Sequence, residues 1–328
     1  MASRQFPKNS KTSATGASQR EAGNDGEAEE GGFRPEFTAG LNRQLDKLAA
    51  STLAPGLYLV STPIGNLADI SVRALFVLSA ADIAVCEDTR HSRKLLAAYG
   101  IGRKLDAYHD FSGDKDRARI LAALGQGKSV ALISDAGTPL IADPGYKLVR
   151  AAIAQGISVF AIPGPSAILA ALVTSGLPPD RFYFGGFLPP KEAARREVLE
   201  AAQAIPGTLI FYESGSRLEE TFEALEAIFP RRPISIAREL TKFHETVLRG
   251  STGELLEEIR DRPPPGEFVL LIGPGEAAPA SNEDIEAALK NALQRGSLKE
   301  AVEEVAKGLE VSRKTVYNLA LKLRVQKP

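Results

Sequence analysis

The chain has 328 residues, 44% of them hydrophobic and 25% charged, and a formal net charge of -1. This length suits about two ordinary domains in a soluble globular protein, and the near-zero charge leaves any nucleic-acid contact to local basic patches. A single cysteine, Cys86, excludes an intrachain disulfide and any metal site of clustered thiols. No apolar run reaches the roughly 18 residues that span a bilayer. The first residues also lack the apolar segment of a secretory signal, so a cytoplasmic location is expected.

In chain order, residues 1–32 are rich in Ser, Gly, Ala and charge and nearly devoid of large apolar side chains. They cannot bury enough surface to offset their ordering entropy and read as a disordered tail. An organellar transit peptide is the alternative, and the acidic stretch Glu21–Glu30 argues against it. Leu41–Leu48 is expected to form a short helix that completes a lead-in over 1–52.

A first domain over 53–165 is expected to alternate strands and helices. Gly56–Val60 is a buried-type strand, followed by the loop Ser61–Asn66 and a helix over Ser71–Ser79 capped by Asp69 or Ser71. Ile83–Cys86 ends in Glu87-Asp88-Thr89-Arg90 and runs into a helix bearing His91, Arg93 and Lys94. Leu105–Tyr108 is a third strand, leading to His109-Asp110-Phe111-Ser112. Val130–Ile133 is a fourth, and it spills abruptly into Ser134-Asp135-Ala136-Gly137-Thr138-Pro139 and on to Asp143-Pro144-Gly145 before a helix over Tyr146–Ile153. Ile157–Ile162 is a fifth, ending in Pro163-Gly164-Pro165-Ser166-Ala167. The alternation predicts an α/β fold with a mainly parallel sheet covered on both faces. Small or special residues recur just after its strands, which gathers those loops on the sheet edge where open α/β sheets bind ligands. At Gly137 a backbone can come close to a ligand, and prolines 139 and 144 fix the loop without needing donors.

A second, mixed α+β domain is expected over 166–275. It comprises a small-residue helix over Ser166–Thr174, strands at Phe182–Phe187, Thr208–Tyr212, Ile234–Ala237 and Glu267–Ile272, and helices over Lys191–Ala204 and Leu218–Ile228. A turn at Pro263-Pro264-Pro265 precedes the last strand. Gly273–Ser281 reads as a linker to a helical module over 276–328, with helices at Glu283–Leu293, Leu298–Lys307 and Ser312–Leu323. The spacing of Ala301, Val302, Val305, Ala306, Gly308, Val311 and Val316 is that of a helix-turn-helix. Arg313, Lys314, Lys322 and Arg324 would place a phosphate backbone along its last helix; a solvated amphipathic bundle is the alternative.

Common chemical signatures are absent. No Gly-x-Gly-x-x-Gly or Gly-x-x-x-x-Gly-Lys loop follows a strand, no Gly-x-Ser-x-Gly elbow occurs, and His91, His109 and His244 lack metal-ligand spacing. What remains is an apolar, glycine-lined cleft with scattered acids and arginines, suited to a large, partly apolar cofactor.

Six motifs occur in a fixed order: Thr62-Pro63-Ile64-Gly65-Asn66-Leu67, Glu87-Asp88-Thr89-Arg90, Ser134-Asp135-Ala136-Gly137-Thr138-Pro139, Asp143-Pro144-Gly145-Tyr146, Pro163-Gly164-Pro165-Ser166-Ala167 and Arg238-Glu239-Leu240-Thr241-Lys242. From about Gly56 to Gly273 the chain thereby resembles the tetrapyrrole methylase superfamily, and within it the small-subunit rRNA (cytidine-2′-O)-methyltransferases, whose extra C-terminal domain the last helices resemble. The resemblance implies a two-domain fold that binds S-adenosyl-L-methionine in the cleft between domains, with 16S rRNA of the small ribosomal subunit as partner and a cytidine ribose in the decoding region as acceptor. A homodimer is common in the superfamily. Matching by motif, Pro63, Asp135, Ala136, Gly137, Thr138, Ile141, Ser166, Ala167, Tyr212 and Glu213 would hold the cofactor, with Glu239 a weaker candidate.

The ribose hydroxyl is a poor nucleophile and needs a base, for which Glu87, Asp88 and Asp143 are candidates; simple helix capping is the alternative for Asp88. Arg90, Arg93, Lys94, Lys191, Arg195 and Arg196 would hold RNA phosphates, or else form a solvated charged face. Because the sulfonium loses its charge as the methyl leaves, a largely neutral cleft is expected. The family's usual His-Glu-His-Asn is here His109-Asp110-Phe111-Ser112, and its Glu-x-Pro-His-Arg is Glu213-Ser214-Gly215-Ser216-Arg217. Two imidazoles are therefore missing, which favours the acids. Methylation of a tetrapyrrole or other small acceptor on the same fold is the alternative; it is disfavoured by Thr62–Asn66, where a glycine-rich loop would be usual.

Overall fold

A computed structural model describes residues 34–109, 114–261, 266–275, 282–309 and 311–325. The expected tail, Asp110–Ser112, the triple-proline turn and most of the linker lie outside these residues, as does the side chain of Arg324. Helix α1 spans Pro35–Ala49, longer than its apolar residues alone suggest, and buries none of its side chains. Proline is well suited to its first position, where no amide donor is needed.

Five strands, β1 (Gly56–Val60), β2 (Ile83–Cys86), β3 (Leu105–Ala107), β4 (Ser129–Ile133) and β5 (Val159–Ile162), form a sheet in the order β3-β2-β4-β1-β5. Every pairing in it is parallel. Alternation assigns the two faces. Tyr58, Val60, Ala131 and Ile133 pack with Ala74, Val77 and Leu78 of α2 (Val72–Ala80) and Leu96 of α3 (Thr89–Ala98). Leu57, Val130 and Leu132 pack on the opposite face with Ile120 and Leu124 of α4 (Asp114–Gly125) and Leu148 and Ala152 of α5 (Tyr146–Ala154). Ser71 caps α2, its hydroxyl accepting from Ala74 N at 3.1 Å. The sequence reading passes over α4, although Asp114 and Asp116 suit a helix N-terminus.

Helix α6 (Ala167–Ser175) leads to a second five-stranded sheet. Its strands are β6 (Phe182–Phe187), β7 (Thr208–Ser214), β8 (Ile234–Arg238), β9 (Thr246–Gly250) and β10 (Glu267–Ile272), in the order β6-β7-β10-β8-β9. β6 and β7 are parallel and the other pairs antiparallel. Helices α7 (Glu192–Ala202), α8 (Leu218–Ile228) and α9 (Thr252–Asp261) cover one face around Leu199, Phe222 and Ile259. α6 covers the other through Ile168, Ala171 and Leu172 against Ile210, Val269 and Leu271. The reading of the sequence omits β9 and α9. β9 is a half-buried edge strand without clean alternation, so its pairing to β8 decides it.

Three further helices, α10 (Asn282–Ala292), α11 (Leu298–Gly308) and α12 (Arg313–Val325), enclose their own core of Ile285, Leu289, Val302, Val305 and Val316. α11 opens with a reciprocal Ser297–Glu300 capping box, and the Ser312 hydroxyl accepts from Thr315 N at 3.1 Å. No helix among the described residues is long and apolar enough to cross a membrane.

Candidate active site

In the parallel sheet the strand ends are in register, with Val60 opposite both Ile133 and Ile162, and Cys86 opposite Ile133. The loops after β1, β2, β4 and β5 therefore leave from one edge. Two of them pair directly: Thr62 N donates to Gly137 O at 2.8 Å and Gly137 N to Thr62 O at 3.0 Å. Side chains reinforce the join. Thr62 Oγ1 donates to Ser134 O at 3.1 Å, and Ser134 Oγ to Gly137 O at 3.1 Å. The Ser61 and Thr138 hydroxyls lie 3.1 Å apart, and Thr138 Oγ1 reaches Pro165 O at 3.3 Å. Gly137 has φ +79°, and a Cβ there would lie 3.4 Å from Ile64 Cγ2.

These loops form one wall of a cleft of ≈ 590 Å³. The facing wall belongs to the second sheet: Phe187 and Tyr212, the stretch Ala237–Leu240 with Lys242, and Gly266–Val269. Phe187 and Tyr212 pack edge to face, with centroids 5.1 Å apart. Among the described residues, four non-glycine residues have positive φ: Leu140, Ala142, Glu239 and Thr241. All four lie in the two loops that face each other across this cleft. For the β-branched Thr241 such a conformation is a true outlier, and clustered backbone strain marks functional loops. No composition or spacing signal reveals it.

Of the expected cofactor residues, Asp135, Ala136, Gly137, Thr138, Ile141, Ser166, Ala167 and Tyr212 line the cleft, and so does Glu239. Pro63 does not; its neighbour Ile64 takes that place. Glu213 is a correction. Strand alternation turns its side chain away from the face presented by Tyr212, and it is fully buried. Its carboxylate accepts from Ser214 N at 2.7 Å, Thr221 Oγ1 at 2.8 Å and Arg217 Nε at 2.7 Å. Lining residues not expected from the sequence are Ile64, Ala142, Phe187, Ala237, Arg238, Leu240, Lys242 and Gly266–Val269; most belong to the second sheet and its loops, which long-range pairing places.

Glu87 and Asp143 also line the cleft, near Asp135. Burial first, then the charges of Glu87 and Asp135, push Asp143 up to about 7. Burial, with Asp143 second, pushes Tyr212 up to about 12. This corrects the expectation of a largely neutral cleft: three carboxylates gather at one end, and the raised Asp143 reduces their combined charge near neutral pH. Asp88 goes the other way. Its carboxylate accepts from Arg90 N at 2.7 Å and pairs with Arg90 Nη2 at 3.0 Å, which pulls it down to about 2. It caps α3 and sits not in the cleft but in an adjoining hollow with Thr89, Arg90 and His109.

The basic residues divide. Arg93, Lys94 and Lys191 are exposed, and Arg90 is exposed but held by Asp88. Arg196 lies 3.8 Å from Glu200. Arg195 is a correction: its side chain is only 1% exposed and is paired with Glu220 at 3.0 Å, so it cannot reach an RNA phosphate. Helical spacing alone could not show that α7 turns Arg195 inward while Lys191 and Arg196 face out. Among the described residues no group of His, Cys, Asp and Glu is placed to hold a metal ion.

Comparisons with known proteins agree with this geometry. Residues 56–256 match the family model of the tetrapyrrole (corrin/porphyrin) methylases, and residues 279–324 that of the RsmI C-terminal HTH domain. A ribosomal RNA small subunit methyltransferase I of Mesorhizobium japonicum is 48% identical over 280 residues, covering 85% of this chain and 95% of the relative. A protein of that name from Escherichia coli O157:H7 is 46% identical, covering 81% and 94%. Diphthine synthase superposes with a TM-score of 0.52 at 17% identity, over 66% of this chain and 89% of that one. The methyltransferase CobJ gives 0.51 at 19%, over 67% and 94%; both are likenesses of fold. With residues 56–256 and the C-terminal helices matched to these family models and most of the chain to these relatives, the chain belongs to the tetrapyrrole methylases, in the branch of the ribosomal RNA small subunit methyltransferases I.

Proposed function

We propose that this protein transfers a methyl group from S-adenosyl-L-methionine to the 2′-hydroxyl of a cytidine in the decoding region of 16S rRNA. The observation that carries this reading is the cleft between the two sheets, in a chain close in sequence to relatives named for ribosomal RNA methylation. Its size falls in the range of small-molecule sites, and its make-up suits this donor. Gly137 leaves room for close backbone approach, Ile64, Ile141 and Phe187 offer apolar surface, and the carboxylates offer partners for hydroxyl and ammonium groups.

S-adenosylmethionine, when bound, would supply an electrophilic sulfonium methyl to the ribose oxygen, with the thioether as leaving group. The chain supplies placement and a proton acceptor. The backbone at Ala136–Thr138 and Ser166–Ala167 holds the donor against the first wall, and Tyr212 and Phe187 close the second. Asp143 accepts the 2′-hydroxyl proton, since a base titrating near neutral pH is the efficient one; burial first, then the charges of Glu87 and Asp135, keep it in that range. Arg93, Lys94 and Lys191 hold phosphates of the incoming strand. The partner is the rRNA of the small subunit, met in the cytoplasm, by a chain that pairs as a homodimer. Mapping of 2′-O-methyl marks on small-subunit rRNA from cells with and without this protein tests the reading. Loss of one cytidine mark is expected, and an unchanged set of marks refutes it.

A further inference from the structure

The loop between β8 and β9 carries a side chain for which the cofactor site has no use. Phe243 is 96% exposed, more than any other large apolar residue described. It sits one residue beyond Lys242, which lines the cleft, and is therefore at the cleft mouth.

The loop that holds it is closed by its own hydrogen bonds. Thr241 N donates to Glu245 Oε2 at 2.6 Å, Lys242 N to Glu239 O at 2.9 Å and Glu245 N to Lys242 O at 3.1 Å. Lys242 Nζ lies 3.0 Å from Glu239 Oε1. Across the cleft the loop after β1 comes so close that a Cβ at Gly65 would lie 2.5 Å from Lys242 Cγ. The His244 ring packs against Phe243 with centroids 5.0 Å apart and planes at 84°, and the phenyl ring beside it stays almost wholly in solvent. The positive φ of Glu239 and Thr241 shapes the turn from which this exposed ring projects beside the cleft.

We propose that Phe243 is a stacking platform for an unpaired nucleobase of the acceptor strand, beside the nucleotide being methylated. Unpaired bases are held on aromatic faces in RNA recognition, and a ring fixed by its loop loses little freedom on stacking. The assignment rests on the RNA-acceptor reading above and adds to it a single-stranded segment as the recognised form.

The chain contains no tryptophan, so Phe243→Trp installs a lone indole at the platform, excited selectively at wavelengths where the tyrosines do not absorb. Its emission is expected to quench when a single-stranded oligonucleotide of the target sequence is added. Phe243→Ala and Phe243→Leu should raise the KM for RNA about ten-fold, with a much smaller effect on kcat and no change in the Kd for S-adenosylmethionine. An unmoved emission from the Phe243→Trp variant, an unchanged KM in an active Phe243→Ala variant, or a Kd change for the donor (a lid over the cofactor) overturns the proposal. A wild-type chain that leaves the rRNA unmethylated refutes the acceptor reading itself, and this assignment with it.

Discussion

Asp143 is the residue at which burial and like charge act together. With its carboxyl pushed up to about 7, the folded chain keeps a proton that the unfolded chain releases near pH 4. Stability therefore falls as pH rises from about 4 to 7. Asp143→Asn removes that penalty and is expected to be more stable than the parent at pH 8 by about 1–2 kcal/mol, a value discounted for partial solvent contact. The two should differ little near pH 4. Urea melts at both pH values check this. The same variant should lose about 10²-fold or more in kcat, whereas parental kcat rises with pH and levels off above about 7. Arg195 and Lys94 form a contrasting pair. Arg195→Met should leave RNA affinity and its salt dependence unchanged, because only the pairing of an inward-facing guanidinium with the largely exposed Glu220 is lost. Lys94→Ala should flatten the slope of log affinity against log salt by about one, which filter binding across a salt series reads directly. In the sequence these two cations look alike; burial separates them, and burial is a property of the packed helix. Asp88 and Glu213 are ambiguous in sequence for the same reason, since an acid near a strand end serves equally as cap, core ion or site residue until its partners are in place.

At the scale of the element, the strand-end loops are the most legible feature. Glycine and proline after a short apolar strand leave few conformations, and the residues from Asp135 to Thr138 line the cleft. The second wall is less legible. β9 and α9 lack a clear local signal, and Gly266–Val269 reach the cleft through the antiparallel pairing of β10 with both β7 and β8. Gly137→Val tests the first wall. The φ of +79° makes any branched side chain strained, at about 1–3 kcal/mol, and the added carbons would press on Ile64. Calorimetry should show donor affinity reduced more than about ten-fold while circular dichroism reports a folded chain. Unchanged affinity would remove this loop from the site.

For the whole molecule, each sheet carries its own buried clusters, and the C-terminal helices carry another made only of residues from that module. The alternation of strands and helices is enough to read the first sheet and the helical module. It is not enough for the mixed order of the second sheet, because those pairings join strands distant in sequence. From Val311 onward the chain contains no Asp or Glu, so α12 presents net positive charge. A chain ending at residue 275 should keep donor affinity by calorimetry and lose RNA affinity in the same filter assay; loss of donor binding would show that the module supports the cleft.

Because Thr62 and Gly137 exchange both amide hydrogen bonds, the floor of the pocket is set when the chain folds. An arriving donor then forfeits little conformational freedom on the protein's behalf. Its contact energy remains available for aiming the transferable carbon instead of assembling a seat.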